Sequence, residues 1–270
     1  MLGTHLIYNG TLIPTKDAHV AIDDIATLYG FGVYESLRLK KGQIFFLEKH
    51  LQRLFQSAHL IGLRHTYDEA TITNWVHTLV EKNAIDTANI KIIFLGGTRP
   101  SLYIFLLAPK FVEKKEYREG ISTITFLYER FMPQAKTLNM LPSYMAYMQA
   151  KEAGAFDALF INRHNHIVEG SRTNFFVIKN NIISTPPVTE VLDGITRQGV
   201  IACAKEHGYD VEEKSIPLSD VFSYDGAFLT NTSSKIVPIR AIDGQLFSHI
   251  ASSITMLRQQ FDAYLKRVIT

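Results

Sequence analysis

The sequence has a single cysteine, Cys203, among 270 residues. No intrachain disulfide can form and no multi-thiolate metal site can be built, so the expected setting is the cytoplasm. Neither sign of charge prevails. Lys and Arg number 28 against 26 Asp and Glu, a formal +2, which argues against a general nucleic-acid binder. No long hydrophobic run is present. The most apolar region, Ile92 to Leu107, is broken by Gly96, Gly97, Arg99 and Pro100, and reads as two strands and a turn, not a membrane span. The opening MLGTHLIYNGTLIP lacks the basic start and apolar stretch of a secretory leader. Repeats and low-complexity segments are also missing. What is abundant is apolar surface: 46% hydrophobic and 20% charged residues exclude a disordered chain and suffice for one large domain or two modest ones.

Periodicity gives an α+β pattern. Asn9-Gly10, inside LIYNGTLI, marks a first hairpin, and Lys40-Lys41-Gly42 a second between Val33–Leu39 and Gln43–Leu47. Leu47, Leu51, Leu54, Phe55, Ala58 and Ile61 recur at helical spacing over 47–62, and Asp68 opens a second helix over 68–83 around Trp75, Val76 and Leu79. Strands follow at 90–95 and 102–107. The charged stretch KFVEKKEYREG places a domain boundary at 110–120, dividing the chain into 1–115 and 116–270. The second half reads as strand 121–128, helix 142–153, strand 156–162, a single strand 167–178 and a hairpin at Asn180-Asn181. It continues with helix 195–207, strands at 209–214, 226–230 and 235–242, and a last helix over 247–267.

Several chemical signals fail on inspection. Gly30-Phe31-Gly32 resembles the start of a dinucleotide loop, but position 35 is Glu35 and no strand-turn-helix surrounds it. His164-Asn165-His166 sits in a polar turn between strands, and His50 and His59 are read as structural. No metal site is expected. Four other segments have a bland reading when taken singly. They are a lysine in Ala135-Lys136-Thr137-Leu138-Asn139, a glutamate in Val168-Glu169-Gly170-Ser171, a turn into a helix at Asp193-Gly194-Ile195-Thr196-Arg197, and a hydroxyl cluster Thr230-Asn231-Thr232-Ser233-Ser234.

Together and in this order they resemble the class IV, or fold type IV, pyridoxal-phosphate (PLP) enzymes, which include branched-chain and D-amino-acid aminotransferases and 4-amino-4-deoxychorismate lyases. The resemblance runs from Tyr8-Asn9-Gly10 to Asp243-Gly244 and takes in Tyr29-Gly30-x-Gly32-Val33-Tyr34-Glu35, His50-Leu51-x-Arg53-Leu54 and Thr232-Ser233-Ser234-x-Ile236-x-Pro238. It implies a two-domain fold like that of D-amino-acid aminotransferase. The cofactor lies in the cleft between an N-terminal α/β domain and a C-terminal domain that carries the PLP lysine. It further implies that Lys136 holds the cofactor and moves the substrate proton. Glu169 serves the pyridine nitrogen. Arg53, the N–H groups of Ile195 and Thr196, and the hydroxyls of Thr196, Thr232 and Ser233 serve the phosphate. The partners implied are a small amino or carboxylate substrate and a second copy of the chain, as a homodimer, with neither nucleic acid nor membrane.

The sequence departs from the family's pattern at Ile25, Phe31 and Lys235. After Lys136 it runs Thr-Leu-Asn-Met, and Met140 cannot donate the hydrogen bond that a tyrosine gives in branched-chain enzymes. Of the carboxylate trap of D-amino-acid enzymes, Tyr34 is present. The loop Gly96–Ser101 is short and lacks a histidine, with Arg99 its one cation. These features tilt the expectation towards aminodeoxychorismate lyase, with an amino-acid aminotransferase using 2-oxoglutarate as the alternative. A PLP-binding protein without turnover is a third reading, opposed by the retention of Lys136, Glu169, Arg53 and Thr196.

Overall fold

The structure, a computed structural model, describes residues 1–109 and 111–269. It divides into two compact units. The first comprises Met1–Lys110 together with Ala135–Met140, and the second Phe111–Gln134 with Leu141–Val268.

In the first unit a six-stranded sheet has the order β2-β1-β6-β5-β3-β4, from β1 Leu2–Tyr8, β2 Thr11–Pro14, β3 Gly32–Lys40, β4 Gln43–Ile44, β5 Ala88–Leu95 and β6 Ser101–Leu107. All its pairings are antiparallel. Alternation along β3 turns Val33, Glu35, Leu37 and Leu39 inward and leaves Tyr34, Ser36 and Arg38 half-buried on the other face. The inward row packs against Leu51, Leu54 and Ala58 of α2 (Leu47–Leu60) and Ile72, Val76 and Leu79 of α3 (Glu69–Asn83). Asp68 caps α3 as its spacing predicts, accepting from Thr71 N–H at 2.7 Å. The short α1 (Ile25–Tyr29) is capped by Asp24, which accepts from Ala26 N–H at 2.8 Å.

The second unit holds α4 Lys114–Glu119, β7 Ile121–Leu127, α5 Leu141–Glu152, β8 Asp157–Ile161, β9 His166–Gly170, β10 Asn174–Lys179 and β11 Ile182–Thr185. These are followed by α6 Ile195–Glu206, β12 Asp210–Glu213, β13 Ile216–Pro217, β14 Gly226–Asn231, β15 Lys235–Ile242, β16 Gln245–Leu246 and α7 Ser252–Val268. Its strands run β12-β11-β10-β14-β15-β7-β8-β9-β13, and an extra β10–β9 pairing closes the middle of that path into a ring. Leu159, Ile161, Phe175, Val177, Leu229, Val237 and Ile239 form its core. Most pairings are antiparallel, with parallel ones at β15–β7, β7–β8 and β11–β12.

Four expectations need correction. The strand expected over 167–178 is two strands. Gly170 N–H bonds back to Thr173 carbonyl at 2.8 Å, and the Ser171 and Thr173 hydroxyls both turn to the buried Asp157 carboxylate. The last helix starts at Ser252, not 247, because Gln245–Leu246 pairs with β15 and Phe247 N–H bonds Arg240 carbonyl at 3.0 Å. The charged boundary segment contains a helix, α4, whose Glu116 carboxylate reaches back to Glu113 N–H at 2.8 Å. Finally, the division at 115/116 does not describe the packing around Lys136. Residues 135–140 belong to the first unit, held by Tyr34 N–H to Lys136 carbonyl at 3.0 Å, Leu138 N–H to Gly32 carbonyl at 2.8 Å and a Val33–Thr137 bridge.

Candidate active site

In the first unit the 135–140 segment runs as an added edge beside the start of β3. Its Lys136 N–H donates to the buried Ser57 hydroxyl of α2 at 3.1 Å. The Lys136 amine lies 4.6 Å from the centre of the Tyr34 ring, and the Lys91 amine of β5 lies 3.5 Å from that centre. Burial pushes the Lys91 amine down to about 8, with Lys136 acting in the same direction and Tyr34 and Glu35 opposing. On the inward side of β3, Glu35 is fully buried. Its carboxylate accepts Arg53 Nε at 2.7 Å, Arg53 Nη2 at 2.8 Å and His50 Nδ1 at 2.7 Å. Burial alone would raise the Glu35 carboxyl. The Arg53 charge and His50 outweigh it and hold the group well below the usual carboxylate range. Burial also pushes the His50 ring down, against the pull of Glu35.

In the second unit strand register gathers another group. Glu169 of β9 stands opposite Asn174 of β10, and Asn174 opposite Thr230 of β14. The Glu169 carboxylate is buried. It accepts Arg130 Nη1 at 3.0 Å and Leu192 N–H at 3.3 Å, and Asn174 Nδ2 approaches at 3.5 Å. Asn174 also donates to Leu192 carbonyl at 2.8 Å, tying this row to the turn that feeds α6. Gly194, the residue before that helix, offers no side-chain cap, so the N–H groups of Ile195 and Thr196 receive none from it. Among the described residues, Thr230 Oγ1 is buried without a hydrogen-bond partner. Thr232 and Ser233 lie in the β14–β15 turn, where Asn231 Oδ1 accepts the Ser233 and Ser234 N–H groups at 3.0 and 2.8 Å.

Each unit therefore has donors suited to one part of a pyridine phosphate. The first unit offers an amine against an aromatic ring. The second offers a buried carboxylate for a ring nitrogen, an uncapped helix start for an anion and an unpartnered hydroxyl beside them.

The profile of the class IV amino-transferase family matches residues 32–242. The chain belongs to that family. Over 252 residues it is 32% identical to a D-alanine aminotransferase of Bacillus licheniformis, covering 89% of each chain. It is 31% identical over 259 residues to a branched-chain-amino-acid aminotransferase of Pseudomonas aeruginosa, covering 88% of this chain and 84% of that one. Among solved structures, the branched-chain aminotransferase of the archaeon Thermoproteus uzoniensis with norvaline superposes with a TM-score of 0.88 at 27% identity, over 99% of this chain and 95% of that one. A T.th. branched-chain aminotransferase solved with pyridoxamine 5'-phosphate gives 0.91 at 23% identity, over 98% and 95%, and shows the shared fold. The chain is thus a class IV enzyme of fold type IV whose cofactor is PLP.

For a class IV chain, some expected residues are placed together and others are not. Glu169 and the Ile195–Thr196 helix start share one unit and are joined through Asn174, while Tyr34 and Lys136 share the other. Arg53 has a role that sequence reasoning missed, because two of its nitrogens clasp Glu35. Arg99 is exposed in the β5–β6 loop. Lys235 forms an ion pair with Asp262 of α7. Phe31 lies where a side chain at residue 96 would sit: a Cβ on Gly96 would come within 2.3 Å of its ring. Arg130 was also missed. It stands 39 residues from its partner Glu169, and no local pattern marks it.

Proposed function

We propose that the protein is an amino-acid aminotransferase that passes an amino group to 2-oxoglutarate. The observation that carries this reading is the kinship, at about nine-tenths of the chain and 32% identity, with a protein named for that reaction class. The relatives named above are transaminases of D-alanine or branched-chain type, and they support amine transfer over the lyase reaction to which the Thr-Leu-Asn run had tilted the expectation.

PLP supplies an aldehyde that exchanges amines and a ring that takes up electrons. In this reading Lys136 would hold that aldehyde until the substrate amine displaces it, and its freed amine would then take the substrate α-proton and later deliver a proton to the α-carbon of the acceptor. Glu169 keeps a proton on the ring nitrogen, and Arg130, Leu192 N–H and Asn174 fix the direction of its carboxylate. The N–H groups of Ile195 and Thr196, with the hydroxyls of Thr196, Thr232 and Ser233 and the Arg53 guanidinium, bind the phosphate. Tyr34 and Arg99 meet the substrate carboxylate. The working unit is a homodimer. The exposed Leu127, Phe131, Leu141, Tyr144 and Met145 supply apolar surface for it, and sedimentation of an active monomer would oppose it.

The test is a panel of L- and D-amino acids with 2-oxoglutarate, run beside aminodeoxychorismate. Glutamate formed from one amino-acid class is the expected result. Pyruvate released from aminodeoxychorismate without any oxo acid would restore the lyase. Borohydride reduction followed by peptide mapping should label Lys136, and label on another lysine would overturn its role.

A further inference from the structure

Lys91 is a half-buried cation on the non-core face of the first sheet, and among the described residues no carboxylate forms an ion pair with it. Its amine and that of Lys136 rest against one ring, 3.5 and 4.6 Å from the Tyr34 centre, so the two nitrogens are at most about 8 Å apart. Ser36 of β3 and Phe105 of β6 are its register partners and bring no opposing charge. The carboxylate whose charge reaches it is Glu35, which β3 turns to the other face, where Arg53 and His50 hold it. Two ammonium groups so placed repel each other, and burial adds to the cost of keeping Lys91 charged.

We propose that Lys91 is a positioning residue for Lys136: the two amines hold their protons jointly, and the charge on Lys91 drives Lys136 towards the uncharged form that binds an aldehyde and accepts a proton. This inference rests on the role given to Lys136 above. The step is a proton balance only. Lys136 ammonium releases its proton to water and its lone pair becomes available, a release that a charged Lys91 beside the same ring favours. The Lys91 amine, pushed down to about 8 by burial with the Lys136 charge acting in the same direction, is charged below that pH. By linkage, Lys136 exerts the same push on Lys91.

The experiment has two arms. In the holoenzyme, the pH midpoint of the cofactor absorbance change is compared between wild type, Lys91→Gln and Lys91→Arg. Like charges about 8 Å apart predict that Lys91→Gln raises the midpoint by roughly 0.4–1.5 pH, for effective dielectric constants between water and a protein surface, while Lys91→Arg keeps the wild-type value. In the full chain before cofactor loading, lysines carrying 13C-methyl groups are titrated by NMR. The Lys91 signal should titrate well below an ordinary lysine in wild type and move up in Lys136→Gln. Identical midpoints in all three holoenzymes, or a Lys91 signal indifferent to Lys136→Gln, would overturn the coupling. Loss of the cofactor band from wild type would defeat the aminotransferase reading instead, and the NMR arm would still decide the coupling.

Discussion

Glu35 contributes to the first unit as a charge that burial alone would not tolerate. Its carboxylate has three donors within 2.8 Å, and Glu35→Gln would leave the buried Arg53 without its anion. A cost of about 3–5 kcal/mol is expected, read as a lower denaturation midpoint. The pH dependence has a definite sign. A carboxyl held below its usual range in the folded state adds stability that is full above about pH 4.3 and declines as the pH falls towards its folded value. His50, pushed down, resists protonation when folded, so stability also drops as the pH falls through about 6.5. Urea melts between pH 5 and 3 should show the carboxylate's acid loss in wild type and a shallower slope in Glu35→Gln. Equal slopes would remove the electrostatic account. Glu35 was legible in principle: it occupies the inward phase of the apolar alternation Val33, Leu37, Leu39, a place where an ionised group needs partners. Lys136 and Glu169 were singled out through their motif neighbours, and their roles are part of the proposed function. Lys91 and Arg130 were not, because their partners are brought near only by strand pairing and chain return.

Among elements, the β9–β10–β14 row matters most, since register alone aligns Glu169, Asn174 and Thr230. Gly194 protects that row. A Cβ there would stand 2.0 Å from Asn174 Oδ1, so Gly194→Ala should expel the Asn174 side chain and break its 2.8 Å bond to Leu192 carbonyl. We expect a loss of about 1–3 kcal/mol in stability and weaker cofactor retention, measured by thermal melting and spectral titration with PLP. Retention equal to wild type would show that Asn174 does not order the Glu169 side of the site. Helices and hairpins with strong periodicity were legible, as α2, α3 and the Asn9-Gly10 turn show. The break between β9 and β10 was not. The apolar run over 167–178 continues through it, and the cause, Asp157, lies in another strand.

At the scale of the whole molecule, neither unit is built from one continuous stretch of chain. The first borrows residues 135–140, and these satisfy Tyr34 N–H and Gly32 carbonyl at the start of β3. A fragment ending at residue 115 should therefore expose those groups, and its Tyr34 amide should exchange with solvent much faster than in the full chain. Equal protection, read by hydrogen exchange, would show the strap to be dispensable. The borrowed strap also sets an order of events during synthesis. The ribosome must deliver about 25 residues beyond the first unit's main segment before the strap emerges, roughly 1–5 s at common translation speeds. For that interval the nascent sheet has an open edge at β3, and the Lys136 amine proposed to hold the cofactor has not yet left the exit tunnel. Lys136 thus arrives as the closing piece of the first unit, so a nascent chain gains the Lys136 amine and covers that edge in one stroke.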